Sequence, residues 1–175
     1  MKSYRDALSL IRLIPDFPKA GILFQDITPL LSDGQAFQAI VSEIATRSSE
    51  VDFVVGVEAR GFIFASAVAN NLGVGFIPIR KSGKLPAQSI SRSYGLEYGN
   101  SVLELHRDAF PQGARILLID DILATGGTIT ASIELINELG GVISDVAFIS
   151  EITELDGYSI IRDRYPAIEI HILSR

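Results

Sequence analysis

The chain contains no cysteine. That absence excludes disulfides, thiolate zinc sites, iron–sulfur ligation and cysteine nucleophiles in one step. Histidine is almost as scarce. His106 and His171 are the two among 175 residues, which leaves little for a histidine metal cluster. Positive charge is in deficit, with 15 Lys+Arg against 21 Asp+Glu and a net charge of −6. Such a chain lacks the clustered basic charge that counterion release on nucleic acid requires. A long apolar run is also missing. Gly61 to Ile79 carries no charge over 19 residues, but Asn70-Asn71, Gly73, Gly75 and Pro78 interrupt it. A helix followed by a buried strand fits that stretch better than a membrane span. The opening Met1-Lys2-Ser3-Tyr4-Arg5-Asp6 has no apolar signal core. The expectation is a cytoplasmic chain without membrane or nucleic-acid partners. No repeat and no Pro/Gly/Ser-rich linker divides it, and 47% apolar residues supply one core. A single domain over 1–175 follows.

What is present alternates between two periodicities. Leu8, Ile11 and Ile14 share a helical face that Pro15 ends. Phe37, Ile40, Val41 and Ile44 mark an amphipathic helix with Asp33 as its N-cap. Phe53 to Val57 reads as a buried strand. Phe62, Ala65, Val68, Ala69 and Leu72 then form a helix that Gly73 terminates. Phe76 to Ile79 is a second strand. From Lys81 to Tyr98 the pattern dissolves into Ser, Gly, Pro and charge, and Ser101 to Leu105 alternates as a half-exposed strand. Ile116 to Ile119 is a short central strand, Ile129, Ile133 and Ile136 a helix, and Val142–Ile149 and Ile168–Leu173 further strands. This order predicts an α/β fold with a mostly parallel central sheet flanked by helices. Ligands in such folds sit beyond the carboxyl ends of the strands.

The segment Asp120-Asp121-Ile122-Leu123-Ala124-Thr125-Gly126-Gly127-Thr128 follows the central strand and opens a helix. Gly126 and Gly127 allow close backbone approach, the helix start offers free N–H groups, and its dipole favours an anion. Thr125 and Thr128 add hydroxyl donors. The two aspartates suit sugar hydroxyls, or a magnesium ion through water. No Gly-Lys-Ser/Thr and no Gly-x-Gly-x-x-Gly accompanies the turn, so it is neither a Walker loop nor a dinucleotide fingerprint. A capped turn would use the same residue types. The whole pattern after a strand favours the anion site.

Residues 116–128, Ile-Leu-Leu-Ile-Asp-Asp-Ile-Leu-Ala-Thr-Gly-Gly-Thr, closely resemble the phosphoribosyl-diphosphate (PRPP) motif of type I phosphoribosyltransferases. The resemblance implies that Asp120 and Asp121 engage the ribose hydroxyls. It also implies that Ala124, Thr125, Gly126, Gly127 and Thr128 hold the 5′-phosphate. Three further segments are similar to the adenine-specific members of that family. Pro18 to Thr28 resembles their base-binding segment, and Gly56 to Phe62 their first pyrophosphate loop. Arg80 to Pro86 with Ser93 to Gly99 resembles their mobile catalytic loop. The implied architecture is the type I phosphoribosyltransferase fold, with a small N-terminal hood over about 1–30 and a mobile loop over about 81–101. The final 25 residues are less diagnostic.

The implied chemistry is transfer from PRPP to adenine, giving AMP and pyrophosphate, with Mg2+ held mainly by PRPP and by Asp120. Pyrophosphate falls to Glu58, Ala59, Arg60, Lys81 and Lys84; members of the family often hold a non-proline cis peptide at the position of Glu58-Ala59, which the sequence itself does not show. Leu23, Phe24 and Gln25 read and stack on adenine. Glu97 manages a proton at the purine, Arg60 assists catalysis, and Tyr98 packs over the closed site. On residue type alone these positions have plainer readings. Arg60 fits a surface ion pair, Lys81 and Lys84 solvated loop charges, Phe24 a core aromatic, and Glu97 an exposed loop acid. Many relatives carry arginine where this chain has Gln25, which offers only a neutral hydrogen bond. The resemblance also implies a homodimer in which Arg80 or Lys81 reaches toward the partner's site. His106 and His171 receive no chemistry. Competing expectations are a phosphoribosyltransferase for another purine, or a PRPP-binding regulator of nucleic acid. The regulator would need a basic face or an added domain.

Overall fold

A computed structural model describes residues 2–48, 50–96 and 99–175. Seven strands form the main sheet. They are β3 (Phe53–Val57), β4 (Gly75–Lys81), β5 (Ser89–Leu96), β6 (Gly99–His106), β7 (Arg115–Leu123), β8 (Val142–Glu151) and β9 (Glu169–Ile172), in the order β5-β6-β4-β3-β7-β8-β9. β4, β3, β7, β8 and β9 run parallel, and the β5–β6 hairpin joins antiparallel at the β4 edge. A separate two-stranded sheet pairs β1 (Arg12–Pro15) with β2 (Leu23–Asp26).

Alternation along the parallel strands feeds two cores. Val55, Val57, Leu118, Val146 and Phe148 face the helices α5 (Gly127–Glu138) and α6 (Gly157–Arg164). Val54, Leu117, Ile119, Ala147 and Ile149 face α1 (Tyr4–Leu8), α2 (Thr28–Ser32), α3 (Gly34–Arg47) and α4 (Gly61–Leu72). A parallel sheet covered on both sides explains why its strands read as near-continuous apolar runs. The expected α/β architecture is the observed one. The Asp33 carboxylate accepts from the N–H groups of Gln35 and Ala36 at 3.1 and 3.0 Å, capping α3 as its position predicts. Gly73 ends α4 in the left-handed conformation, φ 70°. Among the described residues no helix is long and apolar enough to cross a membrane.

Two segments differ from their sequence reading. The expected helix through Ile14 stops at Leu8, and Arg12–Pro15 becomes β1. Leu8 and Ile11 still pack on the core, so their spacing reports burial on one side, not helix alone. What makes 12–15 a strand is its pairing with 23–26, which no local pattern announces. Part of the stretch assigned to irregular loop, Ser89–Leu96, is ordered as the first strand of the hairpin. Serines at 89, 91 and 93 hide a period of two in which Ile90 is buried and Tyr94 packs on the core.

β3 has its parallel neighbours β4 on one side and β7 on the other, with Gly56 level with Ile119. The chain therefore winds in opposite senses from this point. The loops leaving β3 and β7 open a crevice between them, where α/β folds place ligands.

Candidate active site

The turn after β7 forms one wall of the crevice. Asp120 is half-buried and Asp121 buried in the last part of that strand. Residues 122–129 with Asp120 line a concavity of about 40 Å³. Gly126 sits at φ 81°, in the left-handed region that only glycine enters freely. Its carbonyl accepts the Thr130 N–H at 2.9 Å, so α5 starts at once. The N-cap Gly126 has no side chain to cap α5, and the Gly127 N–H makes only a long 3.5 Å bond to Thr125 Oγ1, so the start of α5 beside the concavity offers donors for an anion.

The loop after β3 forms the opposite wall. α4 starts hard against β7, because a Cβ on Gly61 would lie 2.9 Å from Asp120 Oδ1 and 3.0 Å from the Ile119 carbonyl oxygen. Only glycine permits that approach. The Glu58-Ala59 peptide is cis, as the family pattern implies. The Glu58 carboxylate accepts from the Lys81 N–H at 3.0 Å, contacts Arg80 Nε at 3.4 Å and pairs with the Lys84 ammonium. Burial pushes this carboxyl up, but Lys84, the Lys81 N–H and Arg80 outweigh it and hold it below its usual range. Glu58 thus gathers two cations beside the crevice. The Lys81 side chain is exposed.

Arg60 joins the two walls to the hood. Its Nε lies 2.7 Å from Asp121 Oδ2, a charge contact whose angle makes no hydrogen bond and leaves that buried oxygen without one. Its Nη1 donates to the Gln25 carbonyl at 3.1 Å, and its guanidinium sits 5.2 Å from the Phe24 ring centre. Phe24 is half-buried and meets Phe17 edge to face at 5.1 Å, while Leu23 is exposed. The Gln25 side chain turns away from the hairpin toward β8. Gln25 Oε1 accepts from Ser150 Oγ at 2.5 Å, and Gln25 Nε2 donates to the Glu151 carbonyl at 3.3 Å.

Electrostatically the aspartate pair is the tense point. Burial raises Asp120 well above the ordinary carboxylate value, and the adjacent Asp121 charge raises it further. Burial also raises Asp121, with Arg60 pulling it back. Two adjacent carboxylates, one buried and one half-buried, attract either a cation or hydroxyl donors.

The structure therefore brings together Leu23, Phe24, Gln25, Glu58, Ala59, Arg60, Lys84, Asp120, Asp121 and residues 124–128 around one crevice. Glu97 and Tyr98 lie outside the described residues. Their neighbours Tyr94 and Gly95 reach over the phosphate turn, 3.4 and 3.5 Å from where a Gly127 Cβ would stand. His171 pairs with Asp145 at 2.9 Å in the first half of β8, away from the carboxyl ends of the strands. Sequence reading missed Ser150 and Gly157, and gave Gly61, within the segment 56–62, no role of its own. A Cβ on Gly157 would lie 2.1 Å from the Ala124 carbonyl oxygen and 3.0 Å from Gly126 N, so the start of α6 backs the phosphate turn. No local pattern signals such a long-range contact.

Comparison with known proteins agrees with this geometry. The phosphoribosyl transferase domain family matches residues 30–152. The adenine phosphoribosyltransferase of Chloroflexus aurantiacus is 52% identical over 162 residues, covering 91% of this chain and 94% of its own. The crystal structure of adenine phosphoribosyltransferase from Thermoanaerobacter pseudethanolicus superposes with a TM-score of 0.90 at 45% identity, covering 98% of each chain. The Saccharomyces cerevisiae enzyme, solved with an imino-altritol bisphosphate and adenine, gives a TM-score of 0.88 at 34% identity over 97% of each chain.

Proposed function

The chain belongs to the adenine phosphoribosyltransferases of the phosphoribosyl transferase domain family, and from that premise we propose how its own residues carry the 5-phosphoribosyl group from PRPP to N9 of adenine. The products are AMP and pyrophosphate, and the reaction is one of purine salvage. The observation that carries the reading is the single Arg60 side chain touching both Asp121 of the sugar-phosphate motif and the Phe24–Gln25 base segment.

The 5′-phosphate occupies the turn 124–128, on the uncapped N–H groups of α5 and the Thr125 and Thr128 hydroxyls. Asp120 and Asp121 accept from the ribose hydroxyls, which supplies donors to two crowded carboxylates of which only Asp121 has a cation, Arg60, beside it. Adenine stacks on Phe24, and backbone groups of Leu23 and Gln25 read its edge. Base and sugar are thereby held in line, so N9 meets C1 as the pyrophosphate bond breaks on the opposite face. Negative charge growing on pyrophosphate meets Arg60, Lys84 and Lys81, with Glu58 keeping Lys84 beside the crevice until substrate arrives. Glu97 takes up the purine proton. No covalent intermediate on the protein is required.

The donor set also suits magnesium. Asp120 and the unbonded oxygen of Asp121 are hard oxygen ligands, and this ion commonly takes one or two carboxylates plus substrate phosphates. Held mainly by PRPP, with Asp120 as the protein's contribution, it supplies charge neutralisation at the leaving group. We assign the working form as a cytoplasmic homodimer. The exposed apolar side chains Leu13, Phe17, Ile22 and Leu23 on the hood support an association surface.

A spectrophotometric assay with PRPP and magnesium, comparing adenine, hypoxanthine and guanine, tests the reading. AMP formation from adenine in preference to the others is expected. Faster turnover of hypoxanthine would overturn the base assignment, and PRPP binding without turnover of any base would overturn catalysis.

A further inference from the structure

β2 carries the residues that face the base, yet its strand partner is the four-residue β1, in a sheet of two strands. An isolated two-stranded ribbon is marginal in water. The base-reading backbone therefore needs an anchor on the rigid sheet. Ser150 supplies one. It is 3% exposed, near the carboxyl end of β8, and its hydroxyl donates to Gln25 Oε1. The other end of the same amide donates to the Glu151 carbonyl. With Arg60 Nη1 on the Gln25 carbonyl, the residue is gripped by side chain and backbone together.

We propose that Ser150 and Gln25 form a positioning pair that sets the base-binding strand on the end of β8 and so tunes adenine recognition. The pair rests on the reading of the crevice as an adenine phosphoribosyltransferase site. Neither side chain needs to touch the base. Gln25 presents its amide to the end of β8, through Ser150 Oγ and the Glu151 carbonyl. A residue doing this work affects the base more than PRPP, since the phosphate turn is held by β7, α5 and α6. Removing the Ser150 hydroxyl leaves a partly buried amide oxygen without its partner and frees β2 to shift.

The test uses the full chain with Ser150→Ala, Gln25→Ala, the double variant and Ser150→Thr. For Ser150→Ala the adenine KM should rise about five- to tenfold, with kcat and the PRPP KM within about twofold of wild type. Gln25→Ala also loses the donation to the Glu151 carbonyl, so its adenine KM should rise at least as much as that of Ser150→Ala, and the double variant should be no worse than Gln25→Ala, because both single variants remove the Ser150–Gln25 bond. Ser150→Thr keeps the hydroxyl and should restore most of the adenine KM. Equal shifts in both KM values, no shift, or additive losses would overturn the proposal. Hydrogen exchange at the amides of residues 23–26 supplies a readout independent of turnover. Exchange should speed up in Ser150→Ala, and unchanged exchange would overturn the anchoring. If the wild type fails to use adenine, the functional reading fails, while the exchange result still decides whether Ser150 holds β2.

Discussion

The turn at 124–128, proposed for the phosphate, and the N-terminal ribbon proposed for the base line the same crevice and are built in opposite ways. The turn is a contiguous strand–turn–helix. β7 is an interior strand of the sheet, between β3 and β8, α5 begins at the next residue but three, and Ile116 to Ile119 are fully buried. The hood is a four-residue ribbon with Leu13 and Leu23 more than half exposed. Its hold on the rest of the site passes through single side chains, Arg60 and Gln25. Part of this contrast follows from chemistry. A phosphate is bound by backbone N–H groups in a fixed array, which a short local sequence can dictate. A purine edge is read by a strand whose position must be set relative to another element, and that requires contacts distant in sequence.

The largest expected effect lies on the turn side. Asp120→Asn removes a charge that burial and Asp121 disfavour, yet one assigned to the ribose hydroxyls. Turnover should fall about 10- to 100-fold, while the apo protein becomes more stable. The sign follows from the raised pKa. The folded state binds the Asp120 proton more tightly than the unfolded chain, so stability falls as pH rises from the usual 3.8 toward the raised value and stays low above it. The melting temperature should therefore rise by about 2–4 °C for each kcal/mol recovered, more at pH 7.5 than at pH 4. Calorimetry at both values checks this. A loss of stability at pH 7.5 would show that the carboxylate is already compensated.

Gly157→Ala tests the same wall from behind. The new Cβ cannot stand 2.1 Å from the Ala124 oxygen, so the turn or α6 must move. Overpacking of this kind costs about 1–3 kcal/mol. The PRPP KM should rise about tenfold and the adenine KM far less. That split is the mirror image of the one expected for Ser150→Ala, and equal shifts in both would erase the distinction between the walls.

The smallest effect belongs to the hood. Asp26 accepts from Thr28 and is reached by Arg12, and these hold its carboxyl at about 2, below the usual 3.8. The stabilisation this implies is present above the unfolded value and fades as pH falls toward 2. Asp26→Asn should lower the melting temperature slightly at neutral pH, with the difference from wild type shrinking in acid. Because the group is open to solvent, salt should weaken the effect. A difference that grew in acid would contradict the assignment.

Sequence and structure agree best where the determinants are close together. The apolar run 116–119, the Asp-Asp pair and the Thr-Gly-Gly-Thr turn were legible because strand, turn and helix start follow one another without a gap. Asp33 and Gly73 were legible as caps because capping is settled within a few residues. The hairpin was obscured because its serines carry no hydrophobic signal, and burial of Ile90 depends on a neighbour. β1 looked like the end of a helix because its strand partner comes only after an intervening turn.

The sequence by itself determined the parallel core and the anion turn, since both rest on burial patterns and backbone geometry within short windows. Only the tertiary structure decided that Arg60 spans Asp121 and Phe24, that Gly157 stands behind the turn, and that Gln25 faces Ser150. The last two partners are 125 residues apart in the chain. A hydrogen bond between neutral side chains at that separation leaves no periodicity or composition to read, and it exists because the sheet brings the end of β8 beneath the hood.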